Sequence, residues 1–173
     1  MHWRTLMASY DRFSTLYDSA FSAQQAPKIR ALTTAMWGSA RPTTGAQVIV
    51  DLGAGTGLFG RMTGIAAIEV DFSRQMLSSP RRPRAIQALL HQLPFRDASV
   101  DVLVSITSLI DFDHVLPEVD ECRRVLRPGG ALLLSVLKRE DLSALDAALD
   151  AAGLMAEQTL DLGLDRGQIL RRV

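Results

Sequence analysis

Apolar side chains recur at helical spacing through the N-terminal part of the chain. Leu6, Tyr10, Phe13, Tyr17 and Phe21 stand four, three, four and four residues apart, which predicts an amphipathic helix. A second helix is predicted from about Gln24 to Trp37. The polar loop from Gly38 to Gly45 then separates this helical arm from all that follows.

From Gln47 onward the pattern changes to short apolar runs alternating with helical stretches, the signature of βαβ units around a parallel sheet. Strands are predicted near 47–51, 65–71, 85–89, 100–106, 130–137, 155–161 and 167–173. Val115, Val119, Cys122 and Leu126 form one apolar stripe and Leu142, Leu145, Leu149 and Ala152 another, each predicted to face the sheet. Cys122 is expected to be a small core residue and not a nucleophile. Only Gly163-Leu-Asp-Arg-Gly167 separates the last two strands, which is too short for a parallel crossover, so an antiparallel hairpin is expected at one edge.

A chain of 173 residues with 47% hydrophobic side chains suits one well-buried core. A single domain over 1–173 is expected, with 1–45 as the arm and 46–173 as the core. Lys+Arg and Asp+Glu both number 19, so no excess of positive charge points to nucleic acid as a partner. The basic cluster Arg81-Arg82-Pro83-Arg84 reads as a solvated turn. One cysteine rules out an internal disulfide, MHWRTLMASY lacks the apolar centre of a signal peptide, and no apolar run approaches the roughly 20 residues of a membrane span. These features predict a cytoplasmic protein with no membrane span.

The stretch VIVDLGAGTGLFG, Val48 to Gly60, contains two overlapping glycine patterns. Gly55-Thr-Gly57-Leu-Phe-Gly60 spells the G-x-G-x-x-G of a nicotinamide-binding turn, but there the first glycine should follow the strand directly. Here the strand runs into Gly53, and counting from Gly53 the sixth position is Leu58. The acid-led form, Asp51-Leu-Gly53-Ala-Gly55-Thr-Gly57, keeps the correct distance from the strand. Downstream, Arg124-Val-Leu-Arg-Pro-Gly-Gly130 predicts that Pro128 stops a helix and Gly129-Gly130 turn the chain into the strand ALLLSVL.

On these residues the sequence resembles the class I S-adenosylmethionine-dependent methyltransferases, especially the small-molecule branch with the ubiquinone and menaquinone methyltransferases. VIVDLGAGTG is similar to the family's first motif, IEVDFSRQML to its second-strand motif, LPFRDASVDVLVS to its loop and fourth strand, and ECRRVLRPGG to the helix and turn before its fifth strand. The resemblance spans roughly Val48 to Leu137. It implies a Rossmann-like α/β three-layer sandwich, a seven-stranded and mostly parallel sheet with an antiparallel C-terminal hairpin, and S-adenosyl-L-methionine as cofactor.

The resemblance also implies a set of cofactor-binding residues. Gly53, Ala54, Gly55 and Gly57 would let the cofactor lie close over the turn, and Asp51 would help orient its methionine end. Asp71, 20 residues beyond Asp51, is placed to accept hydrogen bonds from ribose hydroxyls, unless it is simply a surface acid at a strand end. Phe72 would pack on the adenine or in the core, while Glu69, where the family usually has a small residue, is expected not to bind ribose. The family often carries an acid four residues before Leu-Pro-Phe to read the adenine amino group. That position is Leu89 here, so adenine would rest on backbone groups and on apolar packing at positions such as Leu90. Ser105, at the end of the fourth strand, completes the set. The segment from Leu58 to Ile68 leaves room for only a short helix.

Methyl transfer from a sulfonium asks mainly for in-line positioning and exclusion of water, so no catalytic triad is required. Asp111, at a position often occupied by histidine in the family, is the candidate base or acceptor-orienting group. Asp113 and His114 read as helix-capping residues, and His91 as a surface residue. Tyr10-Asp11 and Tyr17-Asp18 repeat on one helix face, resembling the arm of quinone and phospholipid methyltransferases that folds over the cofactor. Tyr17 is therefore the second candidate catalytic residue, with a plain docking stripe as the competing reading. No metal site is assigned.

Leu137 passes almost directly into Glu140-Asp-Leu-Ser, leaving no room for a cap domain, so acceptor specificity is expected from the arm, from the loop Thr107 to Asp113, or from a neighbouring subunit of a homodimer. The expected function is methyl transfer to a small-molecule acceptor, quinone-like or lipid-like. The alternatives are a non-catalytic relative that binds S-adenosylmethionine or S-adenosylhomocysteine, and an NAD-dependent oxidoreductase.

Overall fold

A computed structural model describes residues 7–8, 10–12, 14, 16–40, 42, 45–78, 82–109, 115–138 and 141–173. The elements are α1 (Tyr17–Trp37), β1 (Ile49–Leu52), α2 (Leu58–Thr63), β2 (Ile68–Asp71), a 3-10 turn (Met76–Ser78), β3 (Ala85–Gln87), β4 (Val100–Ile106), α3 (Val115–Val125), β5 (Leu126–Leu137), α4 (Ser143–Ala151), β6 (Leu154–Leu162) and β7 (Asp165–Arg172). The seven strands form one sheet in the order β3-β2-β1-β4-β5-β7-β6. Neighbours from β3 to β5 are parallel, while β7 runs antiparallel to both β5 and β6.

Residues alternate between the two faces of each strand, and both faces are covered. Val50, Leu52, Leu103 and Leu134 pack on one side against Val119 and Cys122 of α3 and Leu145 and Leu149 of α4. Ile49, Val102, Val104 and Leu133 pack on the other side against Ile29 and Leu32 of α1 and Phe59 of α2. The strands most shielded by both layers, β1 and β4, are the ones whose near-continuous apolar runs stand out in the sequence. Cys122 is fully enclosed, as expected, and burial pushes its thiol up in pKa.

Three boundaries differ from the expectations. The break placed before Gln24 is absent, because α1 is continuous through Pro27. Its buried face includes Gln25 and Lys28, so no apolar stripe marks that part of the helix. At the other end of the core, α3 ends at Val125, short of Pro128, and the chain enters β5 at once. The register against β4 jumps from Val100↔Leu126 to Val102↔Ala131, so Arg127 to Gly130 form a bulge within the strand and not a turn before it. The edge hairpin is tighter than the five-residue link, since Leu162 pairs with Asp165 and Gly163-Leu164 alone make the turn.

Candidate active site

β1 delivers Asp51 and Leu52 to the carboxyl edge of the sheet, and the chain then turns through Gly53 to Gly57 into α2. Gly53 has φ +64°, and a Cβ there would lie 2.3 Å from the Ser108 Cβ, so the glycine loop and the corner after β4 meet without room for a side chain. Ala54 is buried, with its amide on the Val70 carbonyl at 3.0 Å.

Asp51 pairs in register with Glu69 on β2, and Asp71 lies two residues beyond Glu69 on the same face. Three carboxylates thus line the side of the sheet that α1 and α2 cover. Asp51 is 3% exposed and Asp71 5%. Burial, with Glu69 and Asp71 nearby, holds the Asp51 carboxyl well above the usual carboxylate range, while Arg82 opposes the shift. Asp71 is also raised, chiefly by burial and also by Asp11, against the lowering influence of the Ser73 and Gly55 amides and Arg82.

The reading of Asp71 as a surface acid is overturned by this burial. Its Oδ2 accepts the Gly55 amide at 2.8 Å and its Oδ1 accepts the Ser73 amide at 2.8 Å. Phe72 is half-buried and meets the Tyr10 ring in a T-shaped contact at 5.6 Å and 82°, so it does not sit in the core. The aromatic stripe of the arm continues from there, with Tyr10 and Tyr17 rings 6.5 Å apart and Tyr17 and Phe21 rings 5.0 Å apart. Tyr17 also borders the glycine loop, its Cε1 standing 3.9 Å from where a Gly55 Cβ would be.

Two aspartates fasten the arm. Asp18 accepts from Thr56 Oγ1 at 2.5 Å and from Arg61 Nη2 at 2.5 Å, and Asp11 accepts from the Ser73 hydroxyl. Burial, helped by Tyr10, Asp71 and Asp18, pushes the Tyr17 phenol up to about 12 against a hydrogen bond from Gln25. At neutral pH Tyr17 is therefore a protonated hydroxyl, suited to hydrogen bonding and not to removing a proton.

Leu90 is half-buried against the core face that carries α3 and α4, with Leu89 beside it. Ser105 is fully buried, and its hydroxyl shares a 2.7 Å hydrogen bond with that of Ser108. His91 is exposed, as expected. Asp111, Asp113 and His114 lie outside the described residues. Among the described residues no group of His, Cys, Asp and Glu is arranged to hold a metal ion, and no helix is long and apolar enough to cross a membrane.

Two clusters were missed. Arg82, expected in a solvated turn, has a side chain only 7% exposed: its Nε donates to Glu69 Oε2 at 2.6 Å and its Nη1 to the carbonyls of Gly55 at 2.7 Å and Met76 at 2.8 Å. An acid at position 69, where a small residue is usual, was the signal for it. At the opposite rim Lys28 and Asp165 pair at 2.8 Å with side chains 3% and 0% exposed. Asp165 Oδ2 also accepts from Ser135 at 2.6 Å and Thr107 at 3.0 Å, and Thr107 accepts from Lys28 at 3.1 Å. A lysine and an aspartate so far apart in sequence give no local signal.

A sheet in which β7 runs antiparallel between β5 and β6, with a glycine loop after β1 and an acid ending β2, defines the class I S-adenosylmethionine-dependent methyltransferases, and the chain belongs to that family. A family model described as a methyltransferase domain matches residues 50–134. The chain is 30% identical over 153 residues to the malonyl-(acyl-carrier protein) O-methyltransferase of Hamiltonella defensa, covering 84% of this chain and 57% of that protein. It is 30% identical over 171 residues to the enzyme of the same name from Pseudescherichia vulneris, covering 91% and 66%. The chain thus spans between half and two thirds of the length of these curated relatives. In fold it is similar to a crystal structure of a Thermotoga maritima S-adenosylmethionine-dependent methyltransferase described as a possible histamine N-methyltransferase. That TM-score is 0.76 at 18% identity, over 95% of this chain and 98% of the other. S-adenosyl-L-methionine is the cofactor of the family.

Proposed function

We propose that the protein transfers the methyl group of S-adenosylmethionine to a small-molecule or carrier-linked acceptor. The observation that carries this reading is the pairing of the glycine loop with a buried acid, the Gly55 amide on Asp71 Oδ2 at 2.8 Å. Each Asp71 oxygen accepts one amide and retains a lone pair, so the carboxylate has the capacity to take a vicinal diol such as the cofactor's ribose. Gly53, Ala54, Gly55 and Gly57 would form the floor under the cofactor, Asp51 would face its methionine end, and Phe72 and Leu90 would offer apolar surface to the adenine. Ser105 would act through Ser108, its hydrogen-bond partner at the corner after β4.

When bound, the cofactor supplies a methyl group on an activated sulfonium. The chain's own task is to orient the acceptor and exclude water. Tyr17, held protonated above the loop, would donate a hydrogen bond, and Asp111 would orient the acceptor. The malonyl-carrier relatives make a carboxylate the first acceptor to test; it would be released as its methyl ester, an acceptor chemistry that asks no side chain to remove a proton. We read the arm (1–45) and core (46–173) as one cytoplasmic methyltransferase domain that acts on a small molecule and not on nucleic acid, with a homodimer as its assembly.

Titration calorimetry with S-adenosylmethionine, S-adenosylhomocysteine and NADH tests the reading. Binding of both adenosyl compounds and none of NADH is the expected result, followed by methyl ester formation on a malonyl thioester. Binding without turnover on any carboxylate, oxygen or nitrogen acceptor would favour a non-catalytic relative, and binding of NADH alone would refute the reading.

A further inference from the structure

The central glycine of the cofactor loop is held at both ends of its backbone. Its amide donates to Asp71 at 2.8 Å and its carbonyl accepts from Arg82 at 2.7 Å. We propose that Arg82 and Glu69 form a positioning pair for cofactor binding, in which the guanidinium, anchored on Glu69, fixes the Gly55 peptide against Asp71. This rests on the reading of the loop as the cofactor site.

Arg82 reaches out of the segment after the 3-10 turn and ties three separate pieces together: β2 through Glu69, the loop through Gly55, and the turn through Met76. It fills the space beneath the third glycine, since a Cβ on Gly57 would come within 2.8 Å of Glu69 Oε1 and 3.1 Å of the Arg82 guanidinium carbon. Arg82 Nη2 is enclosed and has no hydrogen-bond partner among the described residues.

Charge supports the same assignment. Asp51, Glu69 and Asp71 share one face, and among the described residues Arg82 is the cation that bears on the two aspartates. Among the described residues the other groups facing them are Asp11, which raises Asp71, and the neutral phenols of Tyr10 and Tyr17. Without Arg82 the aspartates would need a higher pH to ionise, and protonation turns one of the two acceptor oxygens into a donor. Without the charge on Glu69, Asp51 would ionise at a lower pH.

The test is adenosyl-compound affinity as a function of pH for wild type, Arg82→Gln, Arg82→Lys and Glu69→Gln, with thermal melts to confirm folding. Arg82→Gln is expected to weaken S-adenosylhomocysteine binding roughly tenfold at pH 7 and to move the acid limb of binding to higher pH. Arg82→Lys should keep the wild-type limb while losing affinity, and Glu69→Gln should move the limb to lower pH. If Arg82→Gln fails to fold, the Lys and Glu69 variants carry the test, the first through lost affinity on an unmoved limb and the second through a limb at lower pH. Equal affinity losses with an unmoved limb in all three would overturn the proposal and leave the loop assignment standing. Failure of the wild type to bind either adenosyl compound would overturn both.

Discussion

The carboxyl edge of the sheet has two buried polar clusters, and they are built on opposite principles. At the β1–β2 end, three carboxylates face one guanidinium: Asp71 accepts the Gly55 and Ser73 amides, Glu69 accepts from Arg82, and Arg82 in turn holds the Gly55 carbonyl. At the β4–β5–β7 end, one carboxylate, Asp165, meets Lys28, Thr107 and Ser135, all through side chains, with Lys28, Ser135 and Asp165 enclosed and Thr107 half-buried. The first cluster keeps excess negative charge and spare acceptor capacity, which favours a ligand that donates hydrogen bonds. The second is closed and balanced, and it pins the arm helix to the sheet. One end is arranged for binding and the other for holding the structure that binds.

The largest effect separating them should come from breaking the closed cluster. Lys28→Met leaves Asp165 enclosed without its cation, and a loss of about 3–5 kcal/mol in urea unfolding is expected. Replacing both partners, Lys28→Met with Asp165→Leu, should recover most of that loss, because the cost lies in the uncompensated charge. A double variant as unstable as the single would show that the ion pair is not what the arm depends on.

At the open cluster the larger response should appear in binding. Asp71→Ala removes the acceptor expected for a ribose diol, so S-adenosylmethionine affinity should fall by about 1–3 kcal/mol in calorimetry. Unchanged affinity would separate Asp71 from the cofactor site.

The same contrast explains what could be read from sequence. The apolar runs of β1 and β4, the stripes of α3 and α4 and the short last link signal the sheet and its antiparallel edge, because burial on both faces forces hydrophobic side chains into periodic places. The glycine loop is legible because close backbone approach demands glycine, as at Gly53 against Ser108. Asp71 is legible because the second strand ends there. Lys28 and Asp165 are not, because each satisfies the other across the fold and leaves no periodic trace; the same pair hides the continuity of α1 and draws Asp165 out of the supposed turn into β7. Arg82 looks like one more surface arginine until Glu69 is seen beneath it.

A smaller effect distinguishes the clusters by pH. The Asp51 carboxyl titrates higher in the folded protein than in the unfolded chain, so between about pH 4 and that raised value the folded state holds the extra proton. Stability should therefore decline as pH rises through this window. Asp51→Asn should lessen that decline, leaving the part due to the likewise raised Asp71, and stabilise the ligand-free protein at pH 7 by on the order of 1 kcal/mol, while weakening cofactor binding. Urea midpoints measured from pH 4 to pH 8 would show it, and a variant with the wild-type slope would assign the pH dependence to other groups.

The smallest effect is expected where the arm meets the loop at the surface. Asp18 bonds Thr56 and Arg61, but both members of the ion pair are nearly half exposed, at 46% and 45%. Water competes for these charges and salt screens them, so Asp18→Asn should cost no more than about 1 kcal/mol of stability and less in high salt. Because Thr56 lies inside the glycine loop, cofactor affinity should shift in the same sense by a similarly small amount. A loss as large as that of Lys28→Met would mean that the arm is held from the binding end, and the division between the two clusters would have to be redrawn.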